Sequence, residues 1–544
     1  MPETSALSSV DLIAAYPRRP AEGDLVKTTM SRPKREVTTH LVITFALALA
    51  LALPVMAASS VASVASVASV ASVAGVDAAD GLSRSVSGQL PVSGCTPVPA
   101  AECGTIRVPL ERSEPGGPSI PIGYALIRHQ DQSRAVIGTV VPNPGGPGAS
   151  AIEAAPFYTE ILAPLLADHD LLLIDPRGIG RSGPIRCGLA GAPPTRESLT
   201  LAFGECGRSL GVRARGYTAT ATADDIDAVR AHLGIRRLDL LGESYGTYLM
   251  TVYAQRHPDH VRSIVLSSAY PLAFDMWARP NARAVTRAIL LMCQRSAGAC
   301  DGPRTLNQLS QVARLLREHP ISYRVEDDSE PRVLDETTLA GIVYEAGQDL
   351  GQLPAALRAA LAGDTAPLIA AAQALLTFSG SSASDGDPVW ALAASVMCND
   401  YPTLWNRHAT VHARLHQFAT RRTALAAEPF FPFSKQAWTS AIIDRGNLCV
   451  RWPDRHPPVQ RTTGPFADVP VLVLSGDLDA NTPTEEGRQA ARQFRDARVI
   501  EVPNVGHVPE EASRCPAAIL THFIRRLRVG DTSCLADIPP IPVP

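Results

Sequence analysis

Hydrophobic residues in this chain fall into short unbroken runs separated by longer segments of helical period. AVIGTVVP (135–142), DLLLID (170–175), LDLLGE (238–243), VRSIVLSS (261–268), VPVLVLSG (469–476) and ARVIEVP (497–503) are rich in Val, Ile and Leu, and turn residues follow them. Runs without polar alternation predict strands buried on both faces. Between them, ADDIDAVRAHLG (223–234), TYLMTVYAQ (247–255) and EEGRQAARQFRD (485–496) carry apolar residues at helical spacing. Strand alternating with helix predicts an α/β fold with a mostly parallel sheet and helices on both faces. From 271 to 465 the pattern is helical, as in ARAVTRAILLMC, LNQLSQVARLLREH and LPAALRAALAGD. A helical insertion between two parts of one sheet is expected to form a lid over its C-terminal edge, where open α/β folds bind ligands.

Polar patterning sets the outer boundaries. Arg32, Lys34 and Arg35 precede LVITFALALALALP, and VMAAS follows with small residues. Charge, apolar stretch and small residues in that order predict a secretory signal within 1–58, with Met30 as a candidate start. The run is shorter than the roughly 20 residues of a good span, so no membrane attachment is expected after cleavage. The Ser/Val/Ala repeat within 59–90 lacks large side chains and reads as a linker, and 535–544 as a proline-rich tail. The sheet domain is then expected over 91–270 and 466–534, with the lid at 271–465.

Composition adds little beyond this. Of 544 residues, 45% are hydrophobic and 19% charged, which describes a globular protein. A net charge of -3 gives no reason to expect nucleic acid as a partner. Ten cysteines, an even number, fit disulfides in an exported protein.

The chemistry gathers at strand ends. LGESYGT (241–247) places Ser244 between two glycines, after a predicted strand and before a predicted helix. That context reads as a nucleophile elbow, in which the hairpin lifts the hydroxyl above the sheet beside a helix N-terminus. A serine needs a base, and the base an orienting acid. His507 follows the strand at 497–503, and Asp477 and Asp479 follow the one at 469–476. The oxyanion requires N–H donors: Tyr245 supplies one, and Gly145 and Gly146 in NPGGPG let a second segment approach. His408, His412 and His416 recur at helical spacing, but no carboxylate or cysteine completes a metal set, so a solvated lid face is expected and no metal or cofactor.

NPGGPGAS, DPRGIGRS, GESYGT, GDLDANTP and the terminal VGH, in this order, resemble the secreted tripeptidyl-aminopeptidase-like branch of the α/β-hydrolases, related to proline iminopeptidases (peptidase family S33). The resemblance covers roughly 91–534 and implies an α/β-hydrolase fold with Asp479 as the triad acid, in G-x-x-D-x-x-T-P with Thr482 and Pro483. It also implies the pairs Cys95–Cys103, Cys187–Cys206, Cys293–Cys300, Cys398–Cys449 and Cys515–Cys534. The implied activity is release of amino acids or short peptides from the amino end of a peptide by a monomeric, secreted or periplasmic bacterial serine hydrolase.

Serine carboxypeptidases share the GESY elbow and the triad order, although their counterpart of DPRGIGRS lacks the Arg177–Gly178 pair. Three readings of Glu243 therefore stand: contact with a substrate carboxylate, contact with a substrate amine, or a structural pairing with Arg177. Asp400 and Glu345 in the lid are candidates for holding a substrate ammonium group, against cap and surface roles. A small-ester or lipid esterase on the same triad is the rival enzyme. A catalytically silent binding protein is disfavoured by the complete set of catalytic elements.

Overall fold

The computed structural model of the chain describes residues 101–189, 195–325, 331–380, 386–453 and 460–544. The N-terminal apolar run with Met30, the small-residue repeat of 59–90 and Cys95 lie outside the described residues.

The strands, in chain order, are β1 (Glu102–Pro109), β2 (Ser119–Ile127), β3 (Gly138–Asn143), β4 (His169–Ile174), β5 (Leu238–Glu243), β6 (Val261–Ser267), β7 (Ile321–Tyr323), β8 (Arg332–Leu334), β9 (Val471–Gly476) and β10 (Ala497–Val502). Eight of them form one sheet in the order β1-β2-β4-β3-β5-β6-β9-β10, and β7 and β8 make a separate hairpin. From β4 to β10 every pairing is parallel. The antiparallel hairpin β1–β2 extends the edge beside β4 and is not foreseen by the apolar-run pattern. From β3 the chain moves to β4 on one side, then returns to β5 on the other. The C-terminal ends of β3 and β5 therefore flank the switch point, where α/β sheets open a crevice.

The helices are α1 (Ala155–Ile161), α2 (Arg196–Leu210), α3 (Ala219–His232), α4 (Tyr245–Arg256), α5 (Arg279–Arg295), α6 (Gly302–Glu318), α7 (Glu336–Glu345), α8 (Leu353–Leu361), α9 (Ala366–Gly380), α10 (Gly386–Asp400), α11 (Val411–Thr423), α12 (Lys435–Ala441), α13 (Thr484–Ala491), α14 (Pro509–Ala512) and α15 (Arg514–Arg526).

β3, β4, β5 and β9 are buried at every position, and the two-residue period divides them between two cores. Leu172, Leu240, Ile264 and Val473 face α3 and α4, meeting Ile226, Val229, Leu249 and Val252. Leu171, Leu241, Val265 and Leu472 face the other way, toward Tyr158 of α1 and Phe523 of α15. Each such leucine contributes about 1.5–3 kcal/mol of burial. Helices α5 to α12 lie between β6 and β9 in sequence; most of them build a third core around Ile289, Leu309, Leu339, Leu357 and Trp438, while Leu392 and Val396 of α10 pack into the first. Local signals start them: Asp301, Asp335, Thr410 and Ser434 accept hydrogen bonds from N–H groups at the heads of α6, α7, α11 and α12.

The proline-rich tail is not a loose end. Ile541 belongs to the helical core, and the carbonyl of Ile538 accepts a 2.7 Å hydrogen bond from Asn504 Nδ2. Disulfides join Cys187 to Cys206, Cys293 to Cys300, Cys398 to Cys449 and Cys515 to Cys534. Cys103 is disulfide-bonded as well. Among the described residues no helix is long and apolar enough to cross a membrane.

Candidate active site

Ser244 sits between the last residue of β5 and the first of α4, with φ 53° and ψ −123°. A non-glycine residue in this region is strained, and the surroundings impose it. Its N–H bonds the carbonyl of Ser267 on β6 at 3.0 Å, while its carbonyl accepts from Thr247 N–H at 3.0 Å. Close approach dictates both flanking glycines. A Cβ on Gly242 would overlap the Gly246 carbonyl and lie 2.7 Å from Thr247 N; one on Gly246 would overlap the carbonyl of Asn143 at the end of β3. The G-x-S-x-G pattern is thus a packing requirement of strand, helix and neighbouring strand, not only a turn preference.

The loop after β3 leans on this hairpin. A Cβ on Gly145 would lie 2.6 Å from the Glu243 carbonyl and 3.0 Å from Tyr245 N. The Gly145 N–H is taken by Asn143 Oδ1 at 3.2 Å, whereas Gly146 is exposed and its N–H has no partner among the described residues. Gly145 therefore supplies room and Gly146 an open donor. Tyr245 opens α4, where the N–H groups have no carbonyl one turn back. Asp175 of DPRGIGRS holds the loop's far side, accepting from Ser150 Oγ at 2.6 Å and Ile152 N–H at 3.2 Å.

Asp479 and His507 meet at the ends of β9 and β10. His507 Nδ1 lies 3.0 Å from Asp479 Oδ2 and 3.1 Å from Thr482 Oγ1. With Nδ1–H donated to Asp479, the neutral ring carries its lone pair on Nε2. Asp479 also accepts from Asn481 N–H (2.8 Å), Thr482 N–H (2.9 Å), Thr482 Oγ1 (2.7 Å) and Ser268 Oγ (2.9 Å). Burial pushes its carboxyl up, yet His507 and these donors hold it at about 2. Burial pulls the His507 imidazole down, but the Asp479 charge and hydrogen bond, with Glu345 and Glu511, carry it above its ordinary value. Asp477, the competing acid, is spent elsewhere: it pairs with Arg295 at 2.6 Å and accepts from Asn504 N–H. Thr482 belongs to the G-x-x-D-x-x-T-P motif; Ser268 is the partner that motif reading leaves out. Ser268 Oγ also accepts from Val508 N–H at 2.8 Å, tying the acid to the histidine turn.

The lid acids separate. Glu345, at the end of α7, neighbours the histidine–aspartate pair: burial pushes it up to about 7, His507 draws it down, and Asp444 and Asp479 push it up. Asn481 Nδ2 reaches it at 3.5 Å. Asp444, absent from the sequence reading, has its Oδ1 buried without a hydrogen-bond partner. Asp400 is elsewhere: its buried carboxylate accepts from Ala219 N–H at 2.6 Å, at the head of α3. The expectation that it holds a substrate amine is corrected to a helix-capping role.

Glu243 requires a correction too. It is 1% exposed, so it has no face to offer a ligand, and its Oε2 accepts from Tyr158 at 2.7 Å. Arg177 does not pair with it: the guanidinium bonds both Asp225 oxygens at 2.7 Å and the carbonyls of Leu110 and Gly216. Of the three spaced histidines, His408 precedes α11, which begins at Val411 after the Thr410 cap, so they do not share one helix face. Among the described residues Asp227, His257 and His260 form the one group with metal-ligand spacing. There Arg230 and Tyr253 already donate to Asp227, at 2.7 and 3.0 Å, which satisfies the carboxylate without an ion.

Residues 138–286 match the family described as alpha/beta hydrolase fold, and residues 435–534 that described as TAP-like protein. The chain is 28% identical to tripeptidyl aminopeptidase of Streptomyces lividans over 439 residues, covering 74% of this chain and 77% of that one. It is 27% identical to serine protease Hip1 of Mycobacterium tuberculosis over 449 residues, covering 76% and 82%. With carboxylesterase B of the same organism the identity is 26% over 471 residues, covering 79% and 85%. Taken with the parallel sheet and its elbow, these matches show a serine hydrolase of α/β-hydrolase fold whose residues 435–534 are similar to TAP-like proteins.

Proposed function

We propose that this protein is a secreted exopeptidase that releases single amino acids or short peptides from the amino end of its substrate through an acyl-enzyme on Ser244. In this reading His507 takes the Ser244 proton as the hydroxyl attacks the scissile carbonyl, and Asp479 holds the imidazole and balances its charge. The N–H groups of Tyr245 and Gly146 stabilise the oxyanion. His507 then passes its proton to the leaving amine, and water, activated by the same imidazole, releases the acyl group.

The observation that carries the amino-end assignment is Glu345 beside His507, with Asp444 near it. Asp444 lies 3.4 Å from Arg445 Nε, whereas Glu345 has no ion-pair partner among the described residues; a half-buried carboxylate in that state is costly, and a substrate ammonium would relieve the cost where the chain is cut. The four described disulfides support an exported protein.

The similarity to carboxylesterase B supports a second reading, an esterase using the same triad. Free-amine peptides, their N-acetylated counterparts and p-nitrophenyl esters, compared on wild type and Ser244→Ala, separate the two. Cleavage confined to free-amine peptides, with fragments released from the amino end, is expected. Equal turnover of acetylated peptides, or cleavage of esters alone, would overturn the exopeptidase reading.

A further inference from the structure

The elbow glutamate, excluded from ligand contact, has a different partner. Glu243 ends β5, one residue before Ser244; Glu510 lies in α14, three residues after His507. They are 1% and 3% exposed, and Ser267, whose hydroxyl bonds Glu510, stands opposite Glu243 in the β5–β6 ladder, which brings both carboxyl groups to the same strand ends. Hydroxyls reach both side chains: Tyr158 donates to Glu243 Oε2 and Ser267 to Glu510 Oε2. On each residue Oε1 receives no N–H or hydroxyl donor. Among the described residues neither carboxyl forms an ion pair.

We propose that Glu243 and Glu510 share one proton, and that this carboxyl–carboxylate bridge is a positioning device that ties the nucleophile strand to the histidine turn. The inference rests on the assignment of Ser244 and His507 as nucleophile and base. Two buried carboxyl groups in contact attract only while one is protonated; two charges there would repel in a medium that screens them poorly. One proton, shared between the two Oε1 atoms, supplies the missing donor to both. The two hydroxyls bond the outer oxygens and stabilise the single remaining charge.

The surrounding titratable groups act in the same direction. Burial pushes Tyr158 up, with the Glu243 charge adding to it, and burial also pushes Glu511 up. The negative potential of Glu511 raises both members of the pair, and His507 acts on Glu511. The bridge also supports the oxyanion loop, since Gly145 packs on the Glu243 carbonyl. Loss of the shared proton at alkaline pH would push the end of β5 and α14 apart, displacing hydroxyl, imidazole and loop together.

Glu510→Gln and Glu510→Ala test the bridge, each as a pH profile of kcat and KM. The Gln amide donates to the Glu243 carboxylate without a titrating proton. It should keep kcat at neutral pH within about threefold and move the alkaline limb up by about one pH unit or more. The Ala variant should lose about tenfold or more in kcat with KM little changed. Infrared spectra of wild type should show a protonated-carboxyl band at neutral pH that is absent from the Glu243→Gln/Glu510→Gln double variant. This measurement stands even if the Ala variant fails to fold. An unchanged alkaline limb in Glu510→Gln, or an identical carboxyl band in wild type and the double variant, would overturn the proposal. Full activity in Ser244→Ala or His507→Ala would instead overturn the underlying assignment, whatever the glutamates do.

Discussion

Replacing Ser268 by alanine removes one hydroxyl from the middle of the site without changing its size. That hydroxyl donates to Asp479 Oδ2 at 2.9 Å and accepts from Val508 N–H at 2.8 Å. Both bonds are buried. The bond to the ionised carboxylate is worth about 1.5–3 kcal/mol, and an orphaned buried N–H costs about 1–3 kcal/mol. Asp479 keeps four donors and relaxes toward them, so a net loss near 3 kcal/mol of unfolding free energy is expected, toward the lower end of the sum. Val508 adjoins His507 and has φ 52°, a conformation that needs external support. Releasing its N–H should loosen the imidazole and lower kcat by about tenfold while KM barely moves. Urea unfolding and steady-state kinetics read the two effects. Ser395→Ala is the control: its hydroxyl is also buried but bonds only the Ala391 carbonyl one turn back in α10. Matching the control in both assays would refute the claim that Ser268 couples acid and histidine.

Gly246→Ala would set a methyl against the Asn143 carbonyl; loss of fluorophosphonate uptake at Ser244, with stability reduced by about 1–3 kcal/mol, is expected, and normal labelling would contradict the packing argument. Glu345 ionises as pH rises through about 7, and an α-amine loses its proton near 8, so kcat/KM for free-amine peptides should be bell-shaped over that interval. Glu345→Gln should lower it by about ten- to hundredfold for peptides and hardly at all for esters; equal losses on both would remove Glu345 from amine recognition. The Cys398–Cys449 bridge closes 51 residues, so the paired serine variant should lose roughly 4 kcal/mol in denaturant unfolding, and an unchanged midpoint would disprove its stabilising role.

The parallel strands were legible because burial on both faces forces continuous apolar runs, and each run named from sequence overlaps a strand. The β1–β2 hairpin was not, since Glu102, Ile106 and Arg107 of β1 lie at least partly exposed and leave no clean period. Ser244, Asp479 and His507 could be named because each follows a strand in a distinctive motif. Ser268, Asp444 and Glu510 could not: nothing local marks them, and while the sheet order β5-β6-β9-β10 brings the loops of Ser268 and Glu510 together, Asp444 reaches Glu345 only through packing within the helical insertion. Local reading also misassigned residues whose partners are distant. Arg177 meets Asp225 rather than Glu243, and Asp400 meets a helix start 181 positions earlier.

The segment 535–544 bears on how the fold would resist proteolysis. Carboxypeptidases trim termini that extend into solvent, and exposed ends are where proteolysis commonly begins. Here Ile538 and Ile541 are buried, and Arg358 bonds the carbonyl oxygen of Pro544 at 3.4 Å. Cleavage that released Ile538 and Ile541 would remove packing from the core, so these two side chains hold the segment by the same contacts they provide. A stretch that composition marks as a loose proline-rich run is therefore part of the fold it adjoins.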